Sequence, residues 1–208
     1  MTWLGWLLVF ILGFYLGSLR RKYRIRAEEQ LVANQVESWI DRSREVLVNN
    51  ITLELANGKT TQIDHVLISP YGIFVIESKH YSGWIFAQEH DARWTQVLNK
   101  KRTPFQNPIR QNYRHVKAIQ QLFDFLPPEQ IVSLVVFSGS AKFRGGKPLN
   151  VFYTHELKNY LRSREKEVMS INRVQFCLGR LQFSRLKESY ETDELHISNL
   201  QAERRVLQ

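Results

Sequence analysis

Residues 62–79 read QIDHVLISPYGIFVIESK, and how this stretch pairs with itself decides the fold. Two apolar runs, 63–68 and 73–76, flank Ser69-Pro70-Tyr71-Gly72, whose proline and glycine favour a tight reversal between two strands. With Pro70 and Tyr71 as a two-residue loop, cross-strand partners have numbers summing to 141, so Asp64 lies opposite Glu77 and Gln62 opposite Lys79. Side chains alternate across a strand, so one face of the hairpin runs from Ile68, Ile73, Val66 and Val75 to Asp64, Glu77, Gln62 and Lys79. Facing carboxylates repel, and at partly buried positions they need a raised pKa or a bound cation. A hard ion such as Mg²⁺ suits two carboxylate oxygens plus water, and a lysine on the same face stabilises charge developing on a phosphate. The pattern points to metal-assisted phosphodiester hydrolysis. It is equally compatible with a solvated strand end carrying a Glu/Lys pair.

Gln62-Ile63-Asp64-His65, the run from Gly72 to Lys79, and Tyr81-Ser82-Gly83-Trp84-Ile85 together resemble the core of the nuclease-related domain, or NERD, family. The resemblance continues through Trp94-Thr95-Gln96 and from Asn107 to Asn112 and His115, and covers roughly residues 25–140. That family is similar to the PD-(D/E)xK nucleases, which implies an α/β fold with a restriction-endonuclease-like central mixed sheet flanked by helices. It also implies catalytic roles for Asp64, Glu77 and Lys79 around Mg²⁺ or Mn²⁺, with nucleic acid, DNA or RNA, as substrate. Gln111 resembles a helix-borne glutamine found after the core in some of these nucleases. Family members often carry Gly-Glu in the first helix; here Ala27-Glu28-Glu29 stands there, and Glu29, three residues before Val32, fits best as a further metal ligand. The superfamily also contains inactive members, so a non-catalytic domain that binds nucleic acid or a protein is the alternative.

The chain of 208 residues is long enough for one sizeable core. Residues 1–19 contain no charged side chain and form a nearly continuous apolar stretch, sufficient as a helix to span most of a hydrocarbon layer about 30 Å thick. Arg20, Arg21, Lys22, Arg24 and Arg26 follow at once and no Lys or Arg precedes. By the positive-inside rule the expected arrangement is a single-pass inner-membrane anchor over 1–19, its amino terminus outside, then a basic juxtamembrane segment over 20–26 and a cytoplasmic domain over 27–208. A cleaved signal would need a basic leader and a small-residue cleavage site, and neither is present. Gly13 and Gly17 form a small-xxx-small pair that allows weak helix-mediated dimerisation.

The net charge of +9 draws five of its cations from residues 20–26, so much of the basic character belongs to the membrane surface. Cys177 is the only cysteine, which excludes an intrachain disulfide framework and a cysteine zinc knot. The six histidines show no HExxH or other zinc spacing, and no GxSxG elbow is present.

Periodicity predicts a helix over 27–44, a strand over 46–55, a turn at Asn57-Gly58 and a strand over 60–68. Short strands follow at 84–86 and 94–98 around a turn at 88–91; Lys100, Lys101 and Arg102 read as a basic loop able to touch phosphates. A helix starts at Asn107-Pro108 and runs to about Phe125, a buried strand covers 131–137, and 138–147 is a second basic loop lacking phosphate-loop spacing. A strand at 151–153 and helices at 155–167, 171–189 and toward the carboxyl end complete the chain.

Overall fold

The computed structural model describes residues 3–206, apart from the side chains of residues 4, 5, 8, 9, 11, 12, 14, 15, 18, 19, 21, 22 and 203–206. Two mixed sheets pack against each other, and helices cover both faces of the first. The first has strand order β1-β2-β3-β7-β9, from β1 (Val46–Glu54), β2 (Thr60–Ser69), β3 (Gly72–His80), β7 (Ile131–Ser138) and β9 (Val151–Tyr153). The second has order β6-β5-β4-β8, from β4 (Gly83–Phe86), β5 (Arg93–Leu98), β6 (Lys101–Gln106) and β8 (Ala141–Arg144). β1, β2 and β3 pair antiparallel, whereas β7 joins β3, and β9 joins β7, in parallel.

The hairpin adopts the expected register: Ser69 pairs with Gly72 and His65 with Ile76, both sums being 141. Gly72 takes φ +133° beside the Gln130 carbonyl, where an added Cβ would meet that oxygen at 2.9 Å, so the turn requires glycine. The ladder then stops at His65↔Ile76, one pair short of Asp64 and Glu77. On the other side of β2, pairing with β1 skips one position, running from Val46↔Ile68 to Asn49↔His65 and resuming at Ile51↔Ile63. Asn50, at φ +50°, and Asp64 occupy the gap.

This interruption corrects the expected face. Ile63, Val66 and Ile68 share one apolar cluster with Ile73 and Val75, while Leu67 belongs to the opposite one, so the alternation of β2 changes parity between Ile63 and Val66. Gln62 consequently does not face Lys79; its amide donates to Asn50 Oδ1 at 2.7 Å, and Lys79 pairs in the ladder with Phe137.

Helix α1 (Trp3–Glu37) is continuous, and Val32 and Val36 pack it on Leu67, Phe74 and Ile76. It ends before the expected Arg44. Asp41 captures the amide of Ser43 at 3.0 Å and its hydroxyl at 2.6 Å, a local bond that competes with the helix. Among the described residues no helix is long and apolar enough to cross a membrane. Residues 1 and 2 and most apolar side chains of the expected anchor lie outside the described residues.

Helix α2 (Pro108–Leu122) covers the other face of the first sheet with Val116 and Ile119, and α4 (Ile171–Ser184) extends that core with Val174, Cys177 and Leu181. Helices α3 (Thr154–Arg162) and α5 (Tyr190–Val206) complete the chain. The two segments read as basic loops are corrected as well: Lys101 and Arg102 lie in β6, and Lys142 and Arg144 lie in β8. Asn99 and Lys100, at φ +48° and +64°, form the two-residue β5–β6 turn, whose left-handed positions match the twist of the strands.

Candidate active site

The break in the sheet creates the site. The Ser78 amide, pointing toward β2 beyond the last ladder pair, donates to Asp64 Oδ2 at 2.8 Å, and the Ser78 hydroxyl donates to the same oxygen at 2.9 Å. Asp64 thus closes the gap with its own side chain and is held in the splay between β2 and β3. On β3, Glu77 continues the face of Ile73 and Val75 and is 1% exposed. Lys79 Nζ donates to Glu77 Oε1. From α2, His115 Nε2 stands 3.2 Å from Glu77 Oε2, at contact distance but outside hydrogen-bond alignment, which leaves both buried atoms without a bonded partner. His115 Nδ1 is fixed by Thr61 Oγ1 at 2.7 Å.

From α1, Glu29 comes over Asp64. The two share the lining of two adjoining clefts, of about 610 and about 250 Å³, in both cases with Arg26 and Asn50. Burial, then repulsion from Asp64 and Glu77, pushes the Glu29 carboxyl up to about 8. Burial and Glu77 raise Asp64 to about 6, against the opposing pull of Lys79 and the Ser78 bonds. Burial also acts upward on Glu77, but the charge of Lys79 and the contact with His115 outweigh it and hold Glu77 down at about 2. Desolvation acts against the Lys79 ammonium, yet Glu77 and Asp64 together raise its pKa above the ordinary lysine value. Lys79 is therefore held in its cationic form by the two carboxylates. Three carboxyls and one ammonium form a single electrostatic cluster.

Asp64, Glu77, Lys79 and Glu29 are thus brought together. Glu28 turns away to Arg24, 3.7 Å from it on the exposed side of α1. Gln111 is not among their hydrogen-bonding partners; it lines a neighbouring cleft of about 330 Å³ with Gln62, Arg114, His115 and His196. His65 is buried with Nδ1 2.8 Å from Asn49 Oδ1, and desolvation lowers it to about 4, so it stays neutral.

Two asparagines of the α2 segment are clamps. Asn107 caps the helix by accepting from the Ile109 amide at 2.9 Å, and it donates to the Glu89 and Asp91 carbonyls. Asn112, fully buried, donates to Val75 O at 2.9 Å, Ser133 Oγ at 2.9 Å and Leu134 O at 3.1 Å, pinning α2 across β3 and β7. That pin sets where His115 meets Glu77. Sequence reasoning missed Ser78 and gave His115 no part in the site; the four-residue spacing from Gln111 and the odd-numbered alternation from Glu77 to Val75 were the available signals.

Among the described residues no three His, Cys, Asp or Glu side chains stand close enough to cage an ion unaided. The donors nevertheless fit Mg²⁺ or Mn²⁺, which keep several waters and take one or two carboxylates. Glu77 Oε2 is an unpartnered buried acceptor, and the repulsion among Glu29, Asp64 and Glu77 is of the kind a divalent cation relieves.

A sequence profile of the nuclease-related domain matches residues 25–138, more than half of the chain. An uncharacterized protein of Bacillus anthracis is 37% identical over 157 residues, covering 76% of this chain; the chain spans 66% of that relative's length. No solved structure matches. The matched residues begin just before Glu29 and take in every member of the cluster, and the chain belongs to the nuclease-related domain (NERD) family.

Proposed function

We propose that this protein is a metal-dependent nuclease whose centre is Glu29, Asp64, Glu77 and Lys79. The observation that carries this reading is the grouping of three carboxyls, two of them with raised pKa values, around one half-buried lysine at a break in the sheet. Asp64 and Glu77 would hold Mg²⁺ or Mn²⁺, with Glu29 as a further ligand. When bound, such an ion lowers the pKa of a water and neutralises phosphate charge. Lys79, kept cationic, orients that water and stabilises charge on the phosphate oxygens. The water oxygen bonds to phosphorus, one P–O ester bond breaks, and the departing oxygen takes up a proton. Glu77 is positioned for this by His115 and Thr61, and Gln111 orients substrate from the adjoining cleft.

Residues 1–19 would anchor this domain in a bacterial inner membrane, amino terminus outside and nuclease domain in the cytoplasm. Support comes from the uncharged sequence and the five following cations, and from exposed Trp3, Trp6, Phe10 and Leu16 on α1. Close approach of two anchors at Gly13 and Gly17 would give a weak dimer.

The test is cleavage of labelled DNA and RNA by the detergent-solubilised full chain with Mg²⁺ or Mn²⁺. Loss of cleavage in Asp64→Ala and Glu77→Ala supports the assignment, and activity equal to wild type in both rejects it. One observation favours a second reading, a non-catalytic adaptor: Lys79 already neutralises Glu77 directly. An adaptor of that kind shows no calorimetric uptake of Mn²⁺.

A further inference from the structure

The four-stranded sheet presents a face that the proposed chemistry does not use. Its inner side packs Ile85, Trp94 and Phe143 on Val135 and Phe137 of the first sheet. Its outer side follows from the register in two cross-strand rows. One row is Lys142, Trp84, Val97 and Arg102; the other is Arg144, Phe86, Thr95 and Pro104. Trp84 is 37% exposed and Phe86 42%, at the centre of the face. Cations close over them from both edges: the Arg144 guanidinium lies 3.5 Å from the Trp84 ring centre, Lys142 Nζ 5.9 Å from it, and the Arg102 guanidinium 5.6 Å from the Phe86 ring. The four strands contain Arg93, Lys101, Arg102, Lys142 and Arg144, and no Asp or Glu.

Aromatic side chains left at a surface among cations, with no carboxylate on their four strands, match one ligand chemistry well. Single-stranded nucleic acid offers phosphates for the arginines and lysines and unpaired bases for the rings and guanidinium planes. Duplex DNA satisfies only the charges, because its bases are stacked on one another. A protein partner would need carboxylates for the cations, and would more commonly bury an apolar centre than one already covered by charge.

We propose that the outer face of β4, β5, β6 and β8 is a single-strand-binding platform, with Trp84 and Phe86 stacking bases and Arg102, Lys142 and Arg144 contacting phosphates. β4 starts four residues after Lys79 on the same stretch of chain. Binding at this face requires no cleavage, and it stands or fails independently of the nuclease reading.

The test uses the full chain in detergent with chelator present, so that no cleavage intervenes. Fluorescence anisotropy compares an oligothymidylate of about 12 nucleotides with an abasic strand of equal length and charge. Wild type should bind the thymidylate at least about tenfold more tightly than the abasic strand, and Trp84→Ala/Phe86→Ala should erase that preference. Arg102→Gln and Arg144→Gln, both at exposed positions, should each lower the slope of log K against log salt by about 0.7 for both strands. Equal binding of the two strands by wild type, or a preference unchanged in the aromatic double variant, would overturn the proposal.

Discussion

On the five-stranded sheet Glu77 is almost wholly buried, held between Lys79 and His115, whereas on the four-stranded sheet Arg102, Lys142 and Arg144 stand in solvent over two aromatic rings. The same side-chain types carry opposite energetic weight in the two places. A buried charge must be matched by a partner, because desolvation of an ion is costly and removing its partner leaves that cost uncompensated. An exposed cation is hydrated whatever its neighbour does, and surface pairings stabilise little. Charge in the first sheet is therefore built into the fold, and charge in the second can be altered freely and is available for a ligand.

The largest effect should follow from breaking the buried pair. Lys79→Ala leaves Glu77 without its cation and should destabilise the protein by about 3–5 kcal/mol in urea unfolding. Next comes the pin on which the site geometry depends. Asn112→Ala removes an amide whose two hydrogens are shared among three acceptors and leaves two backbone carbonyls short of a partner, which should lower stability by about 2–3 kcal/mol.

The pH dependence sharpens the contrast further. Asp64 and Glu29, with ordinary values of 3.8 and 4.5, hold their protons in the folded state up to about 6 and about 8. The folded chain binds more protons than the unfolded one in that window, so their contribution is fully present at low pH and is lost as pH rises. Glu77, depressed to about 2, works in the opposite sense, adding stability above 4.5 that disappears as pH falls toward 2. Without metal, thermal stability should decline between pH 4.5 and 8, and Asp64→Asn should flatten that decline. A decline equally steep in Asp64→Asn would mean that other groups set it. The smallest effect belongs to the second sheet: Arg102→Gln or Lys142→Gln should move stability by no more than about 0.5 kcal/mol.

Much of the first sheet was legible because its signals are local. Pro70 and Gly72 set a two-residue turn, the turn sets the register, and the register brings Asp64 and Glu77 to the same end of the hairpin. The break at Asp64 was not legible, since Val66, Leu67 and Ile68 are all apolar and conceal the change of parity after Ile63; it is read from the missing ladder pairs, Asn50 at φ +50° and the Ser78 bonds. The family resemblance, and not spacing, led to Glu29, whose approach depends on how α1 crosses the sheet. The second sheet was hidden for a different reason. Residues 101–106 read KRTPFQ, and Pro104 argues against a strand unless that strand lies at an edge, which is where β6 is. β8 pairs with β4 across more than fifty residues of sequence, with Gly83 opposite Ala141, so nothing local reports the partner. Two basic segments that looked like separate loops are in fact on either side of the same pair of aromatic residues.

The central claim, that Glu29, Asp64 and Glu77 are gathered to capture a divalent cation, is tested most directly by calorimetric titration of the full chain with Mn²⁺ at pH 7 in two buffers of different ionisation enthalpy. The account predicts saturable binding with release of up to about one proton, because the Glu29 carboxyl is largely protonated at that pH and must ionise to act as a ligand. Asp64→Asn should abolish the binding. Identical heats in wild type and Asp64→Asn, or no uptake by either, would contradict it.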